Sequence, residues 1–267
     1  FKKQIEIVIG LGYNIMVNSC ATGSEPECAG KTGTFTMKMR DTVKKLFSDK
    51  IYDILEVGNG FIVVYRRPEI DDKVVVSYKS VSLENGVVTK RTKADYEFVK
   101  FGPNYSTVNF QVDNFITSSC VELDGGRLFI VSKSGDAKIV EPNGCTEWQG
   151  TIRYKDFGPS AIAHFGHTLW ASFSEKNALI RFNLRTMREE LRIGGSNDSS
   201  FSAPEGMWID QPAGKLLVCN STGNNLLEVD MKTYTVMERA VFEEPVHKYL
   251  RIGEREFVVL DSGLYLL

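Results

Sequence analysis

The amino-acid sequence predicts an all-β protein built from one recurring unit. In that unit a turn rich in Gly, Asn or charged residues precedes a short apolar strand, which ends in a polar loop. Six copies read GYNIMVNS at residue 12, GNGFIVVYRR at 58, GGRLFIVSKSGD at 125, GHTLWASFSEKN at 166, GKLLVCNSTGNN at 214 and GEREFVVLDSG at 253. Most copies start about 40 to 48 residues apart, the repeat length of a four-stranded propeller blade. The sequence therefore predicts a six-bladed β-propeller.

Further strands surround each copy of the unit. A strand such as AIAHF or GMWID stands before the turn, one such as ALIRFNL or NLLEVDM follows the loop, and a fourth follows in places, as in YTVMERAVF. These runs are rich in β-branched and aromatic residues and are bounded by turn residues, which is typical of strands. The second strand is often apolar throughout (FIVV, LFIV, LLVC, FVVL), as expected for a strand packed on both faces. Helical periodicity is nearly absent, and DTVKKLF at 41 fits one helical turn or an outer strand equally well.

The two ends of the chain meet in a closed ring of this kind. The last copy shows three strands, HKYLRIG, REFVVLD and LYLL, and then the chain stops. Propellers are often closed by a strand from the other terminus, and FKKQIEIVIG at residue 1 is the predicted closing strand. Alternatively, residues outside this sequence supply the fourth strand of the last blade.

Residues 1–267 are expected to form a single propeller domain. The start at Phe1 and the incomplete last blade indicate an excerpt of a longer chain. Surplus sequence lies between the second and third units, where residues 90–111 form an inserted loop or a degenerate blade. Seven blades are therefore the alternative count.

Composition argues against several function classes. Lys and Arg number 32 against 34 Asp and Glu, so there is no basic excess for binding nucleic acid. No run reaches the roughly 18 apolar residues of a membrane helix. The five cysteines contain no CxxC and suit neither a disulfide framework nor a zinc site. Cys20 and Cys28 flank one loop and could pair in an oxidising compartment. Cys219 is expected to be buried. The small number of cysteines favours a reduced, cytosolic environment over secretion.

Aligning the blade openings identifies the residues predicted at the mouth of the central channel, which are Thr117, Ser160, Glu205 and His247. They contain no like-charged pair that would separate two pKa values and mark an acid–base couple. The opening PEGMWID, followed by GKLLVCN, resembles a blade of the regucalcin and gluconolactonase family and, more loosely, the NHL-type propellers. The resemblance implies that Glu205 is a metal ligand in the channel of a metal-dependent hydrolase or lactonase.

The remaining metal ligands of that family are not retained. Ser160 stands where the family has an Asn, and no EGP-like opening occurs near the N-terminus. A calcium ion takes six or more oxygen ligands, usually several of them carboxylates, and Glu205 with Ser160 does not supply them. We therefore expect neither a metal nor another cofactor, and Glu205 is expected to be a solvated or hydrogen-bonded residue of the channel mouth.

No catalytic residue is predicted. His164 and His167 lie three residues apart in AHFGHTLW, but they straddle a strand turn and are expected to point in different directions. The AGKT within CAGKTGT lacks the glycine of a phosphate loop, and no GxSxG nucleophile elbow is present.

Loops that follow the second strand of each blade line up on one face of a propeller, and loops carry function on a rigid scaffold. The binding residues predicted in these loops are Arg66, Arg67, Lys133, Glu175, Lys176 and Asn224. The leading prediction is a non-catalytic binding module, or scaffold, that presents its loop face to a protein or peptide partner. The alternative is the metal-dependent hydrolase that uses Glu205. Neither nucleic acid nor a membrane span is expected.

Overall fold

Strands make up nearly all the regular structure that is described. The computed structural model describes residues 43–48, 51, 53–57, 60–68, 74–82, 88–91, 110–112, 115–117, 119–195 and 200–267, all within the unit Thr36–Leu267. Two short 3-10 helices, Asp124–Gly126 and Ser174–Lys176, are the helical segments of these residues. No helix among them is long and apolar enough to cross a membrane. The prediction of an all-β fold is confirmed.

The described strands form five four-stranded antiparallel sheets and one two-stranded ladder. Sheet I contains β2 (Asp53–Val57), β3 (Gly60–Pro68), β4 (Val74–Ser82) and β5 (Val88–Arg91). Sheet II contains β8 (Ser119–Glu122), β9 (Leu128–Val131), β10 (Asp136–Val140) and β11 (Thr146–Thr151). Sheet III contains β12 (Ala161–Phe165), β13 (Thr168–Phe173), β14 (Ala178–Asn183) and β15 (Arg188–Gly194).

The remaining two sheets complete the C-terminal part of the chain. Sheet IV contains β16 (Pro204–Asp210), β17 (Lys215–Asn220), β18 (Asn225–Asp230) and β19 (Val236–Val241). Sheet V contains β20 (Val246–Ile252), β21 (Arg255–Leu260), β22 (Gly263–Leu266) and β1 (Lys44–Phe47). The ladder pairs β6 (Phe110–Val112) with β7 (Phe115–Thr117).

The sheets stand side by side around their first strands. These innermost strands contact one another in the order β2, β20, β16, β12, β8. Each pair of consecutive sheets also shares one apolar core: sheets II and III, III and IV, IV and V, and V with the described residues that open sheet I. In a β-propeller, sheets pack face to face around a central axis, and the first strand of each sheet is innermost. The described sheets have this arrangement.

Strand β17 shows why the second strands are apolar throughout. Leu216 and Val218 pack in the core between sheets III and IV, whereas Leu217 and Cys219 pack in the core between sheets IV and V. All four side chains are fully buried. Successive side chains of a strand point to opposite faces, so a strand between two cores needs no polar face. Burial raises the pKa of the Cys219 thiol, which agrees with the expectation of a buried, unreactive cysteine.

Sheet V is closed by a segment other than the predicted one. Strand β1 pairs antiparallel with the C-terminal strand β22, with Lys44 opposite Leu266 and Lys45 opposite Tyr265. A strand from the N-terminal part of the chain thus completes the last sheet, but KKLF provides it rather than FKKQIEIVIG, which lies outside the described residues. The side chain of Leu46 packs against the core between sheets V and I, which accounts for the choice of this short segment.

The predicted number of blades is wrong for the described part of the chain, which holds five four-stranded sheets instead of six or seven. Five of the six predicted units are second strands, namely β3, β9, β13, β17 and β21. The unit at residue 12 lies outside the described residues, and so do Cys20 and Cys28. The surplus segment from residue 90 to residue 111 is described only at its two ends, where Lys90 and Arg91 belong to β5, and Phe110 and Gln111 belong to the ladder strand β6.

Candidate functional site

The two ends of the sheets carry different residues. Each innermost strand begins, and each second strand ends, at the same end of its sheet, which we call the top face; the opposite end is the bottom face. Lys133 lies in the turn after β9, Glu175 and Lys176 lie in the 3-10 helix after β13, and Asn224 lies in the turn after β17. These four residues therefore occupy top-face loops, as predicted.

Three of the predicted residues lie elsewhere. Arg66 and Arg67 belong to β3 itself, because β3 continues to Pro68 and pairs along its whole length with β4. Thr117 ends β7 and pairs with Phe110, so it opens no four-stranded sheet. Sheet II instead begins at Ser119, whose buried hydroxyl accepts a hydrogen bond of 3.2 Å from the backbone N–H of Ile162.

The top-face loop residues do not converge on one site. The Lys176 ammonium lies 4.2 Å from the centre of the Phe157 ring, in a cation–π contact within its own region. Asn224 has a left-handed backbone (φ 52°), and its N–H donates to the Ser221 carbonyl, so Asn224 shapes a tight turn. In the described loops, neither of these contacts brings the predicted binding residues together.

A hydrogen-bonded network does form between the two charged residues predicted at the channel mouth. His247 Nδ1 lies 2.7 Å from Glu205 Oε2, and His247 Nε2 lies 2.8 Å from Asp261 Oδ1. The Ser221 hydroxyl donates to Glu205 Oε1 at 3.0 Å. We call Glu205, Ser221, His247 and Asp261 the top-face network. Its members come from sheets IV and V, so it bridges two blades.

The geometry of the network favours the protonated, cationic form of His247. An ionised carboxylate only accepts hydrogen bonds, so each ring nitrogen must carry a hydrogen to satisfy its partner. The hydrogen bond to Glu205, with that to Asp261, raises the pKa of His247 above its ordinary value, against the opposing effect of partial burial. The protonated ring places one positive charge between two negative charges.

Two β-bulges position this network. The register of β16 against β17 shifts between Pro204 and Met207, and that of β20 against β21 shifts between Val246 and Lys248. Glu205 and Gly206 lie within the first shift, and His247 lies within the second. The corresponding innermost pairs of sheets I, II and III run without a shift. A bulge bends a strand and redirects a side chain, so the irregularities fall on the two strands that carry the charged residues.

A glycine lets the two bulged strands approach each other. A Cβ atom at Gly206 would lie 2.3 Å from the carbonyl oxygen of His247, which is far inside van der Waals contact. Only glycine allows this approach of β16 to β20. The approach places Glu205, the preceding residue, within reach of the His247 ring.

Serine hydroxyls connect sheet III to the same region. The hydroxyls of Ser160 and Ser174 lie 2.5 Å apart, and Ser174 donates to the Pro204 carbonyl at 2.7 Å. Ser172 donates to the Glu205 carbonyl, also at 2.7 Å. Ser160, predicted as a channel-mouth residue, therefore helps to anchor the backbone beside Glu205 and takes no direct part in the charged network.

Sequence reasoning identified two members of the network and missed two. Glu205 and His247 open innermost strands, whereas Asp261 and Ser221 are the first residues after second strands. The polar loops LDSG and NSTGNN signal such positions, but nothing in the sequence shows that these loop residues contact the opening of the first strand of the same blade. No group of three or more His, Cys, Asp or Glu side chains in the described residues is arranged to hold a metal ion, and both Glu205 oxygens are engaged. The metal-ligand role that the family resemblance implies for Glu205 is not supported by this arrangement.

Comparison with known proteins assigns no family. No family model and no curated protein matches the chain, so the resemblance to regucalcin, gluconolactonase and NHL-type propellers is not confirmed. The structure is similar to that of selenomethionine-substituted virginiamycin B lyase from Staphylococcus aureus, with TM-score 0.49, 10% identity and coverage of 84% of this chain and 98% of that chain. A catalytically inactive variant of that enzyme with quinupristin gives TM-score 0.46, 12% identity and 81% coverage of both chains. At these values we draw no functional argument from the likeness.

Proposed function

We propose that the domain is a binding module that captures a protein or peptide partner at the top-face network. The observation that carries this proposal is an imidazole hydrogen-bonded to two carboxylates at an exposed position. The Asp261 side chain is 56% exposed, that of Glu205 is 37% exposed and that of His247 is 30% exposed. A ligand can therefore reach all three charged groups without a rearrangement of the strands.

The arrangement suits binding better than proton transfer. Both ring nitrogens of His247 are engaged by carboxylates, so neither faces outward as a free acid or base. The carboxylates keep lone pairs that the network does not use, since each carboxylate accepts about four hydrogen bonds. With two negative charges against one positive charge, the network favours a hydrogen-bond donor that carries positive charge.

The partner group that fits best is an arginine or lysine side chain of a protein. Arginine presents several donors in a rigid fork, which can contact Asp261 and Glu205 together. The hydrogen bonds to His247 and Ser221 hold Glu205 in place before binding, so little conformational entropy is lost when the ligand arrives. Nearby, Glu244 accepts from the backbone N–H of Ser262 at 2.8 Å and adds further negative charge on the same face.

The test is selection of peptides from a random display library on the purified chain, followed by affinity measurement on the selected peptides. We expect the peptides to share a basic residue, and replacement of an arginine by the neutral citrulline should weaken binding about tenfold or more. Asp261→Asn and Glu205→Gln should weaken binding to a similar degree. Asp156→Asn, the same change of charge in another top-face loop, is the matched control and should leave the affinity unchanged.

Two results would refute the proposal. One is a set of peptides without a common basic residue. The other is binding that Asp261→Asn and Glu205→Gln leave intact, which would place the binding surface elsewhere on the molecule.

A further inference from the structure

A cavity of about 430 Å³ opens on the bottom face, between sheets II and III. It lies at the opposite end of the sheets from the top-face network and shares no residue with it. Any role of this cavity is therefore independent of the function proposed above. The cavity has an apolar wall and a charged rim, and the two recognise different parts of a ligand.

The apolar wall is the open edge of the core between sheets II and III. Trp148, Leu184 and Met187 are partly buried and pack against that core, and all three line the cavity. The indole of Trp148 is held in place from two sides. Its ring centre lies 6.0 Å from that of Phe129, and a Cβ atom at Gly150 would lie 2.4 Å from the indole. A fixed indole and a flexible Met in the lining of one cavity favour a flat apolar group.

The charges on the rim are unevenly compensated. Arg127 donates two hydrogen bonds to the Glu147 carboxylate, at 2.8 and 3.1 Å, and one to the Asp124 carbonyl, so these acidic residues lie around one guanidinium. Arg185 projects from a turn that Asn183 stabilises by accepting the backbone N–H of Arg185. In the part of the chain that the structure describes, the Arg185 side chain has no acidic partner. Arg185 is therefore the cation on this rim that a ligand can use.

Two histidines complete the cavity. His164 is 7% exposed, and its ring nitrogens lie 3.1 Å from the Glu122 carbonyl and 2.7 Å from the Gly166 carbonyl, so it connects β12 to β8. His167 is exposed and lines the same cavity. The turn between β12 and β13 brings both to one cavity.

We propose that this cavity binds a small aromatic carboxylate, with its ring against Trp148 and Met187 and its carboxylate at Arg185. The volume suits a molecule of one or two rings, since ligand sites of about 300 to 1,000 Å³ hold drug-sized compounds. A planar guanidinium matches a carboxylate in two parallel hydrogen bonds.

The test uses naphthalene-2-carboxylate as the probe and the neutral naphthalene-2-carboxamide as its matched analogue. Both are titrated into the full chain, and the indole N–H signals of its three tryptophans are followed by NMR. We expect the carboxylate to shift the Trp148 signal saturably and to leave the signal of the buried Trp170 in place. The carboxamide should bind about tenfold more weakly, because it lacks the charge.

A variant and its matched control test the charged contact. Arg185→Gln should weaken the carboxylate about tenfold and leave the carboxamide unchanged. Arg188→Gln, a nearby exposed arginine that does not line the cavity, is the control and should change neither affinity. The proposal is overturned if Trp148 does not respond to millimolar carboxylate, if the carboxamide binds as tightly, or if Arg185→Gln has no effect. Tighter binding of the corresponding amine would also overturn it, because the acidic side of the rim would then select the ligand.

Discussion

At the residue scale, His247 owes its charge to the two carboxylates that accept its ring hydrogens. Glu205 comes from the neighbouring sheet and Asp261 from the loop of its own sheet, so the charge ties two blades together. Neither carboxylate is deeply buried, which limits the desolvation that a paired charge has to overcome. The same exposure leaves the network open to a partner.

The charge on His247 makes the stability of the fold depend on pH. The folded-state pKa is raised above the ordinary 6.5, so the stabilisation is fully present below about 6.5 and is lost as pH rises through the folded pKa. His247→Gln should remove this dependence. The measurement is urea unfolding of both proteins from about pH 6 to 9, and the difference in their unfolding free energies should shrink as pH rises.

His167→Gln is the matched control for this experiment, because His167 is exposed and lies outside the network. It should leave the pH dependence of the unfolding free energy as it is in the native chain. If the His247→Gln difference stays constant across the range, or grows with pH, the carboxylates do not stabilise a charged ring.

At the element scale, the site depends on the two bulged strands and the glycine between them. Bulges at Glu205 and His247 direct both side chains to the top face, and Gly206 lets the two strands come close enough for their side chains to meet. The elements that position the site are thus irregular, while the corresponding strand pairs of sheets I, II and III are regular.

Gly206→Ala tests this arrangement. The added methyl group would overlap the His247 carbonyl oxygen, so we expect a loss of about 1 to 3 kcal/mol in unfolding free energy as the strands separate. The His247 ring signals should move in the NMR spectrum of the variant, because the distance to Glu205 changes.

Gly214→Ala provides the comparison. It also costs stability, since Gly214 has a left-handed backbone (φ 64°), but its Cβ would meet open space, far from His247. Its His247 signals should stay in place. Unchanged His247 signals in Gly206→Ala would show that the close approach of the strands does not hold the network together.

The elements that sequence reasoning found are those set by local chemistry. An apolar run after a glycine turn identifies β9, β13, β17 and β21. Both signals, the turn residues and the apolar residues that are buried on both faces, lie within about ten consecutive residues. The bulges were not predicted, because a register shift depends on the partner strand. Asp261 was missed for the same reason: its partner His247 lies on the neighbouring strand β20. Arg66 and Arg67 were placed in a loop because the extension of β3 depends on its pairing with β4.

At the scale of the whole molecule, sheet V joins the two ends of the described chain. Strand β1 supplies its outer edge, and Leu46 packs with residues of the core between sheets V and I, including Phe257 and Leu264. Closure of sheet V by β1 couples the stability of the N-terminal strand to that of the C-terminal blade. His247 and Asp261, in the same sheet, depend on that closure.

Leu46→Asp should therefore destabilise the whole domain. The substitution removes an apolar contact and places a charge against the core, which we expect to cost about 2 kcal/mol of unfolding free energy. Lys44→Asp changes the charge of an exposed residue in the same strand and should cost well under about 0.5 kcal/mol. Thermal unfolding followed by circular dichroism compares the two, and equal melting temperatures would mean that β1 does not close the ring.

The central claim is that the top face holds a charged histidine between two carboxylates of adjacent blades. An NMR pH titration of the His247 ring in the native chain, in Glu205→Gln and in Asp261→Asn tests it most directly. We expect a midpoint above 6.5 in the native chain and a lower midpoint in each variant, with the larger fall for Glu205→Gln because its hydrogen bond makes the larger contribution. A native midpoint at or below 6.5, or one that neither variant changes, would contradict the claim and remove the basis for a binding site at this face.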